Sequence, residues 1–178
     1  ALTPQQAEEV EQRFPNVKVY CQHSGFRCYR DEEYQALGIE IINDMHDCDI
    51  LMGIKEVPTA DLIENKTYLF FSHTIKKQPY NKKLLQEVIR KKIRLIDYEA
   101  LKDKQGNRLV AFGRYAGIVG AYNGLWTYSK KYGGQLMRGA YECFDVNEVK
   151  RELRQFKLPA VKIILTGAGR VGKGAMET

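Results

Sequence analysis

Three short runs rich in β-branched and aromatic residues, at positions 50–54, 67–71 and 94–98, constrain this chain more than any other feature. Each is too short for a stable helix and reads as a strand. Between the second and third, residues 81–92 place Leu84, Leu85, Val88 and Ile89 on one helical face, with Pro79 just ahead and Asn81 available as a cap. Strand, helix and strand at this spacing make a βαβ unit, which implies parallel pairing through a right-handed crossover. The expected fold is therefore α/β, built on a parallel sheet.

The flanking sequence agrees. Thr3-Pro4-Gln5-Gln6 starts a helix, with threonine as N-cap, proline at the first helical position and Gln6 placed to complete a capping box. Residues 17–21 form a short β-rich run. Asp31 is expected to cap a second helix that buries Tyr34 and Leu37 and stops at Gly38, and residues 38–42 form the next apolar run. Residues 111–132 read as one helix that carries Gly113, Gly117, Gly120 and Gly124. Four interior glycines cost about 4 kcal/mol against alanine. Two smooth edges result, Gly113–Gly117–Ala121 and Ala116–Gly120–Gly124, suited either to helix packing or to a cofactor or second domain. A linker is expected at 132–138, then a polar helix capped by Asp145 and running to about Phe156. Pro159 introduces a buried strand at 161–166 that leads into Gly167-Ala168-Gly169-Arg170-Val171-Gly172.

A chain of 178 residues holds one domain, or one domain and the stub of another. No stretch approaches the roughly 18 apolar residues of a membrane span. Cys21, Cys28, Cys48 and Cys143 have neither CxxC spacing nor the density of a disulfide scaffold, which fits a reducing cytoplasm. His23 and His46 complete no metal-ligand spacing with those cysteines, so no metal is expected. The net charge of +6 invites a nucleic-acid reading. However, Lys82, Lys83, Arg90 and Lys91 lie mostly on the solvated side of the amphipathic helix, and no nucleic-acid-binding motif accompanies them. Small anionic ligands account for the surplus as well.

Two constellations carry chemistry. The GxGxxG of Gly167, Gly169 and Gly172 follows an apolar run and opens a helix, the context in which backbone N–H groups cradle a pyrophosphate; an ordinary glycine turn is the alternative. Lys55 and Glu56, His73 and Glu99 end the three runs. If those strands are parallel, all four emerge at one carboxyl edge, where open α/β sheets bind ligands. A base, an acid, a cation and a carboxylate together equip such an edge for proton transfer beside an anionic substrate; simple exposure is the alternative.

Several blocks resemble the alanine dehydrogenase and saccharopine dehydrogenase superfamily, including the lysine-ketoglutarate reductase half of aminoadipic semialdehyde synthase. They are ALTP at the start, GIKEVP at 53–58, YLFFSHTIKKQ at 68–78, IRLIDYE at 93–99, VAFGRYAGIVGAYNG at 110–124 and LTGAGRVGKGA at 165–175. The FFSHTIK and IRLIDYE blocks look most like the saccharopine-forming enzymes. The resemblance implies an NAD- or NADP-dependent amino-acid dehydrogenase interconverting saccharopine with lysine and 2-oxoglutarate. The alternatives are an alanine dehydrogenase or a non-catalytic ligand-binding module. By resemblance Lys55 and His73 are the catalytic pair, Glu56 and Glu99 tune them, and Arg108 binds a substrate carboxylate. Gly167, Gly169, Arg170, Val171 and Gly172 would hold the cofactor. By the same resemblance residues 1–158 would form a Rossmann-like, three-layer parallel-sheet substrate domain, without the family's first strand and its arginine, and 159–178 the opening of a dinucleotide domain. The chain alone is then expected to be inactive. Its partners would be small anionic amino acids and 2-oxo acids rather than nucleic acid or membrane, with homo-oligomerisation left open.

Overall fold

The computed structural model describes residues 1–133 and 137–178. The chain divides into two compact units, residues 1–110 and 111–178.

The first unit opens with α1 (Pro4–Arg13), which starts as its sequence dictates. The Gln6 N–H donates to Thr3 Oγ1 at 3.2 Å and the Thr3 N–H to Gln6 Oε1 at 3.0 Å. β1 (Tyr20–Gln22) then pairs in parallel with β2 (Glu40–Ile42), Cys21 facing Ile41. The connection between them contains α2 (Asp31–Gln35), and Gly38 follows at φ +77°, a conformation open to glycine. Asp31 does not cap α2 as expected. Its carboxylate is taken by His23 and Arg27, and the preceding residue, Arg30, becomes the N-cap, its N–H donating to Glu33 Oε2 at 2.6 Å. Ala7, Tyr34 and Ile39 form the core here, and the Tyr34 hydroxyl donates to Leu2 O at 2.6 Å.

The three runs that define the fold class are β3 (Ile50–Met52), β4 (Thr67–Phe70) and β5 (Arg94–Asp97), parallel and in the order β3-β4-β5. The central strand β4 alternates, with Tyr68 and Phe70 buried. Their rings pack against Leu84 and Val88, one turn apart on α3 (Lys82–Arg90), and against Leu62 and Ile93. Each such buried side chain contributes about 1.5–3 kcal/mol of transfer free energy, which holds a nine-residue helix that would not persist alone. Asn81 does not cap α3 through its side chain: it closes a 3₁₀ turn, Pro79–Asn81, with helical backbone angles, and is itself buried.

The second unit contains α4 (Gly113–Tyr132), α5 (Val146–Gln155) and α6 (Arg170–Met176). Asp145 caps α5, accepting from the Glu148 N–H at 2.8 Å. Ile118, Tyr122, Met137 and Val149 form its core. Of the two smooth edges on α4, that of Gly113 and Gly117 packs against α6, and a Cβ at Gly117 would lie 2.0 Å from the carbonyl oxygen of Val171. A Cβ at Gly120 or Gly124 would meet nothing within 4 Å. The linker expected at 132–138 falls partly on residues 134–136, outside the described residues.

The expected buried strand at 161–166 is a correction: these residues are in no strand, and Ile163 and Ile164 are 62% and 80% exposed. A β-strand exists through its ladder, and among the described residues nothing pairs with this apolar run.

Candidate active site

Because β3, β4 and β5 are parallel neighbours, their carboxyl ends share one edge. Lys55 and Glu56 lie three and four residues beyond β3, His73 three beyond β4 and Glu99 two beyond β5. Backbone bonds continue past the strands: Gly53 N–H donates to Leu69 O at 2.9 Å and Phe71 N–H to Ile54 O at 3.1 Å. These hold the exits of β3 and β4 side by side, which brings Glu56 to His73.

His73 Nδ1 is hydrogen-bonded to Glu56 Oε1, with the two side chains 21% and 32% exposed. Burial pushes the Glu56 carboxyl up. The bond with His73, Glu56's own backbone N–H and the charges of His73 and Lys55 outweigh this and hold it below the ordinary glutamate value. An ionised carboxylate only accepts, so Nδ1 carries the proton and Nε2 is left as the nitrogen that can take one up or release it. The ring stacks on Phe71, with centroids 6.4 Å apart and planes 20° apart. His73 adopts φ 55°, ψ 6°, a left-handed conformation that non-glycine residues reach at a cost of about 1–2 kcal/mol. Such strain persists where the surroundings over-determine a residue. Here the stack, the carboxylate and the following 3₁₀ turn, Thr74–Lys76, do so.

A second cluster lies on the same edge. Glu99, with a side chain only 10% exposed, has Lys76 Nζ at 3.4 Å and Arg108 at 3.5 Å, both on Oε1. Arg108 arrives on an antiparallel excursion closed by the Lys102–Arg108 bridge and turned at Gly106, φ +83°. Its guanidinium lies 5.7 Å from the centroid of Phe71, the ring that also carries His73. Beneath them Asp97 braces both strand exits, accepting from Ser72 Oγ at 2.5 Å and from the Glu99 N–H at 2.8 Å.

The structure thus pairs His73 with Glu56 and Glu99 with Arg108. Lys55 is exposed at the same edge, and its charge is felt at Glu56. Sequence reasoning missed Lys76, Ser72, Asp97 and Phe71. The available signal was the concentration of polar residues from Ser72 to Lys76 directly after a buried strand.

The glycine turn belongs to the second unit. Gly167 has φ +91°, Gly169 is the N-cap of α6, and Arg170 and Val171 are its first residues. A Cβ at Gly172 would lie 2.1 Å from Gly167 O, whereas one at Gly169 would meet nothing within 4 Å. The turn is therefore closed behind by glycine and open in front, the shape a phosphate group needs.

Among the described residues no three His, Cys, Asp or Glu side chains could together hold a metal ion. His23 and His46 are instead each bonded to an aspartate, Asp31 and Asp44. No helix among the described residues is long and apolar enough to cross a membrane.

Residues 1–119 match the family model of the alanine dehydrogenase/PNT N-terminal domain. The chain is 33% identical over 180 residues to the mitochondrial alpha-aminoadipic semialdehyde synthase of Mus musculus, covering 90% of this chain and 19% of that protein. It is 27% identical to the saccharopine dehydrogenase [NAD(+), L-lysine-forming] of Yarrowia lipolytica, covering 99% of this chain and 52% of that one. The chain thus spans about half or less of the length of these relatives. A solved L-alanine dehydrogenase superposes with a TM-score of 0.53 at 12% identity, over 76% of this chain and 39% of that one, and shares its Rossmann-like fold.

Proposed function

The chain belongs to the alanine dehydrogenase/PNT N-terminal domain family, and from that premise we propose that its sheet edge is the acid–base and substrate-binding site of a nicotinamide-dependent amino-acid dehydrogenase. The preferred reaction interconverts saccharopine with lysine and 2-oxoglutarate. Residues 1–158 form the substrate-binding domain, and residues 159–178 open a dinucleotide-binding domain in which the run at 161–166 would find its sheet. The four free cysteines support a reducing compartment, and we assign the cytoplasm.

The observation that carries this reading is the His73–Glu56 bond beside the Lys76–Glu99–Arg108 cluster on one parallel edge. Glu56 fixes the His73 tautomer, so that Nε2 is the atom that exchanges a proton with the substrate's nitrogen or with water. Lys55, exposed on the same edge, is the second proton carrier. Arg108, braced by Glu99 and lying over Phe71, would meet a substrate carboxylate, and Lys76 adds a second positive charge beside it. Gly167, Gly169 and Gly172 fit the pyrophosphate of NAD or NADP, with the N–H groups of Arg170 and Val171 as donors. When bound, the nicotinamide supplies hydride transfer at the carbon bearing the nitrogen.

The test is initial-rate kinetics with NAD and NADP on saccharopine and on alanine, in the enzyme that carries the dinucleotide-binding domain. Saccharopine should have the higher kcat/KM, and Lys55→Met and His73→Gln should each lower turnover by about 100-fold or more, the usual range for a lost general acid or base. A higher specificity constant for alanine would move the assignment to alanine dehydrogenase. Near-normal turnover in both variants would remove the two residues from the mechanism.

A further inference from the structure

We propose that Asp97 is a positioning residue that sets the acid–base histidine and the anion-binding cluster in one frame, using a different carboxylate oxygen for each. It is the last residue of β5 and pairs with Phe70, the last of β4. Leu95 and Ile96 before it are apolar, and a half-buried carboxylate ending such a strand is costly unless it finds donors. Its donors come from two strand exits. Oδ2 accepts from Ser72 Oγ at 2.5 Å, just past β4, and Oδ1 from the Glu99 N–H at 2.8 Å, just past β5.

Ser72 is fully buried, and its hydroxyl is used to capacity. It gives its proton to Asp97, and it accepts from the Thr74 N–H at 3.2 Å and from Thr74 Oγ1 at 2.8 Å. His73 lies between these two residues in its left-handed conformation. Asp97 thus holds the residue before the histidine, and that residue holds the one after it. In this frame the ring stacks on Phe71 with Nδ1 on Glu56.

The other oxygen acts on the second cluster. By fixing the Glu99 N–H, Asp97 sets the start of the residue that carries Lys76 and Arg108. A substrate carboxylate at Arg108 is then held at a defined distance from His73 Nε2, because both groups are referred to one side chain. The assignment deepens, and rests on, the reading of this edge as the acid–base and substrate site of an amino-acid dehydrogenase.

The experiment follows the ring nitrogens of the chain labelled with ¹⁵N-histidine. His23 and His46, bonded through Nδ1 to Asp31 and Asp44, serve as internal controls, and His73→Gln assigns the third signal. The neutral wild-type His73 ring should be the Nδ1–H tautomer. In Ser72→Ala and in Asp97→Ala it should become a mixture with the Nε2–H tautomer while the two control histidines hold. Asp97→Asn should keep most of the wild-type signal, because Ser72 can turn its proton to Thr74 Oγ1 and accept from the new amide. Where a single variant does not fold, Ser72→Ala combined with Asp97→Val carries the test, since removing both partners of a buried bond together is nearly neutral for stability. In the enzyme that carries the dinucleotide-binding domain, Ser72→Ala frees only the histidine and should lower kcat about tenfold or more at an unchanged substrate KM. Asp97→Ala should lower kcat and raise that KM as well. An unmoved His73 tautomer in both alanine variants overturns the assignment, and so does an Asp97→Ala effect confined to kcat. A moved tautomer together with normal turnover in Lys55→Met and His73→Gln upholds the positioning of His73 and sinks the acid–base reading.

Discussion

Replacing Gly117 by alanine adds one methyl group where α6 leaves no room for it. The new Cβ would lie 2.0 Å from the carbonyl oxygen of Val171 and 2.7 Å from the amide nitrogen of Ala175. Both are backbone atoms, so relief requires α6 to move rather than a side chain to rotate. Restoring an ordinary contact of about 3.5 Å takes a retreat of roughly 1.5 Å. The same retreat loosens the approach at Gly174, where a Cβ would sit 2.0 Å from Arg114 O. Overpacking of this kind costs about 1–3 kcal/mol, against about 1 kcal/mol that alanine gains over glycine inside α4. Gly120→Ala makes the same chemical change three residues away with nothing within 4 Å of the new carbon, so it should simply stabilise by about 1 kcal/mol. The two variants should differ by about 1–3 kcal/mol, the overpacking cost itself. Because α6 has only seven residues, it cannot persist once undocked. Hydrogen exchange in peptides spanning 170–176, which contain the Lys173 N–H bonded to Gly169 O at 2.9 Å, should therefore accelerate about tenfold or more in Gly117→Ala, while Gly120→Ala protects that region as the wild type does. Equal exchange in the two variants, or equal urea midpoints, would refute the claim that the Gly113–Gly117 edge exists to let α6 approach. The consequence reaches the proposed cofactor site, because Gly169 of the phosphate turn is the N-cap of α6.

Glu56 has a folded-state pKa below its ordinary value of 4.5. Its contribution is therefore present above pH 4.5 and lost as pH falls through the lower folded value, so Glu56→Gln should flatten the acid limb of a stability–pH curve measured by urea denaturation; an unchanged limb would show the His73 bond to be energetically idle. At the other extreme, burial pushes Tyr122 up to about 12. A raised pKa stabilises fully below the unfolded value near 10 and is lost as pH rises toward 12. Tyr122→Phe should reduce this alkaline loss, at a cost of about 1 kcal/mol at neutral pH for the hydroxyl that donates to Arg138 O at 2.7 Å. Tyr34, also pushed up to about 12 by burial, should keep its own share of the alkaline transition in that variant.

Local pattern was enough to read the elements whose causes are local. The Thr3–Gln6 capping box, the stop at Gly38 and the Asp145 cap all act within a few residues and are in the structure, whereas the expected stripe of α3 is only half buried, Leu84 and Val88 entering the core and Leu85 and Ile89 remaining exposed. The three β-rich runs and the helix between them implied parallel pairing, and that in turn placed Lys55, Glu56, His73 and Glu99 on one edge. Where a side chain had a choice of partners, the sequence could not say which would win. Asp31 had the right identity and place to cap α2, but His23 and Arg27, eight and four residues away, claimed its carboxylate. Asn81 looked like a cap and instead closes a 3₁₀ turn with its side chain buried. The run at 161–166 had the composition of a strand without a ladder partner among the described residues.

Apart from the run at 161–166, the residues themselves determined which parts of the chain would be helix and strand and which edge would gather the ionisable groups, because periodicity and capping are interactions over one or two turns. Tertiary structure alone decided that Glu56 holds His73, that Lys76 and Arg108 share Glu99, that Phe71 lies beside both His73 and Arg108, and that Gly117 rather than Gly120 receives α6. Apart from the short step between Phe71 and His73 and the nine residues between Glu99 and Arg108, each of those pairings spans from 17 to more than 50 residues. They depend on the register of parallel strands and the docking of helices, which no local pattern encodes.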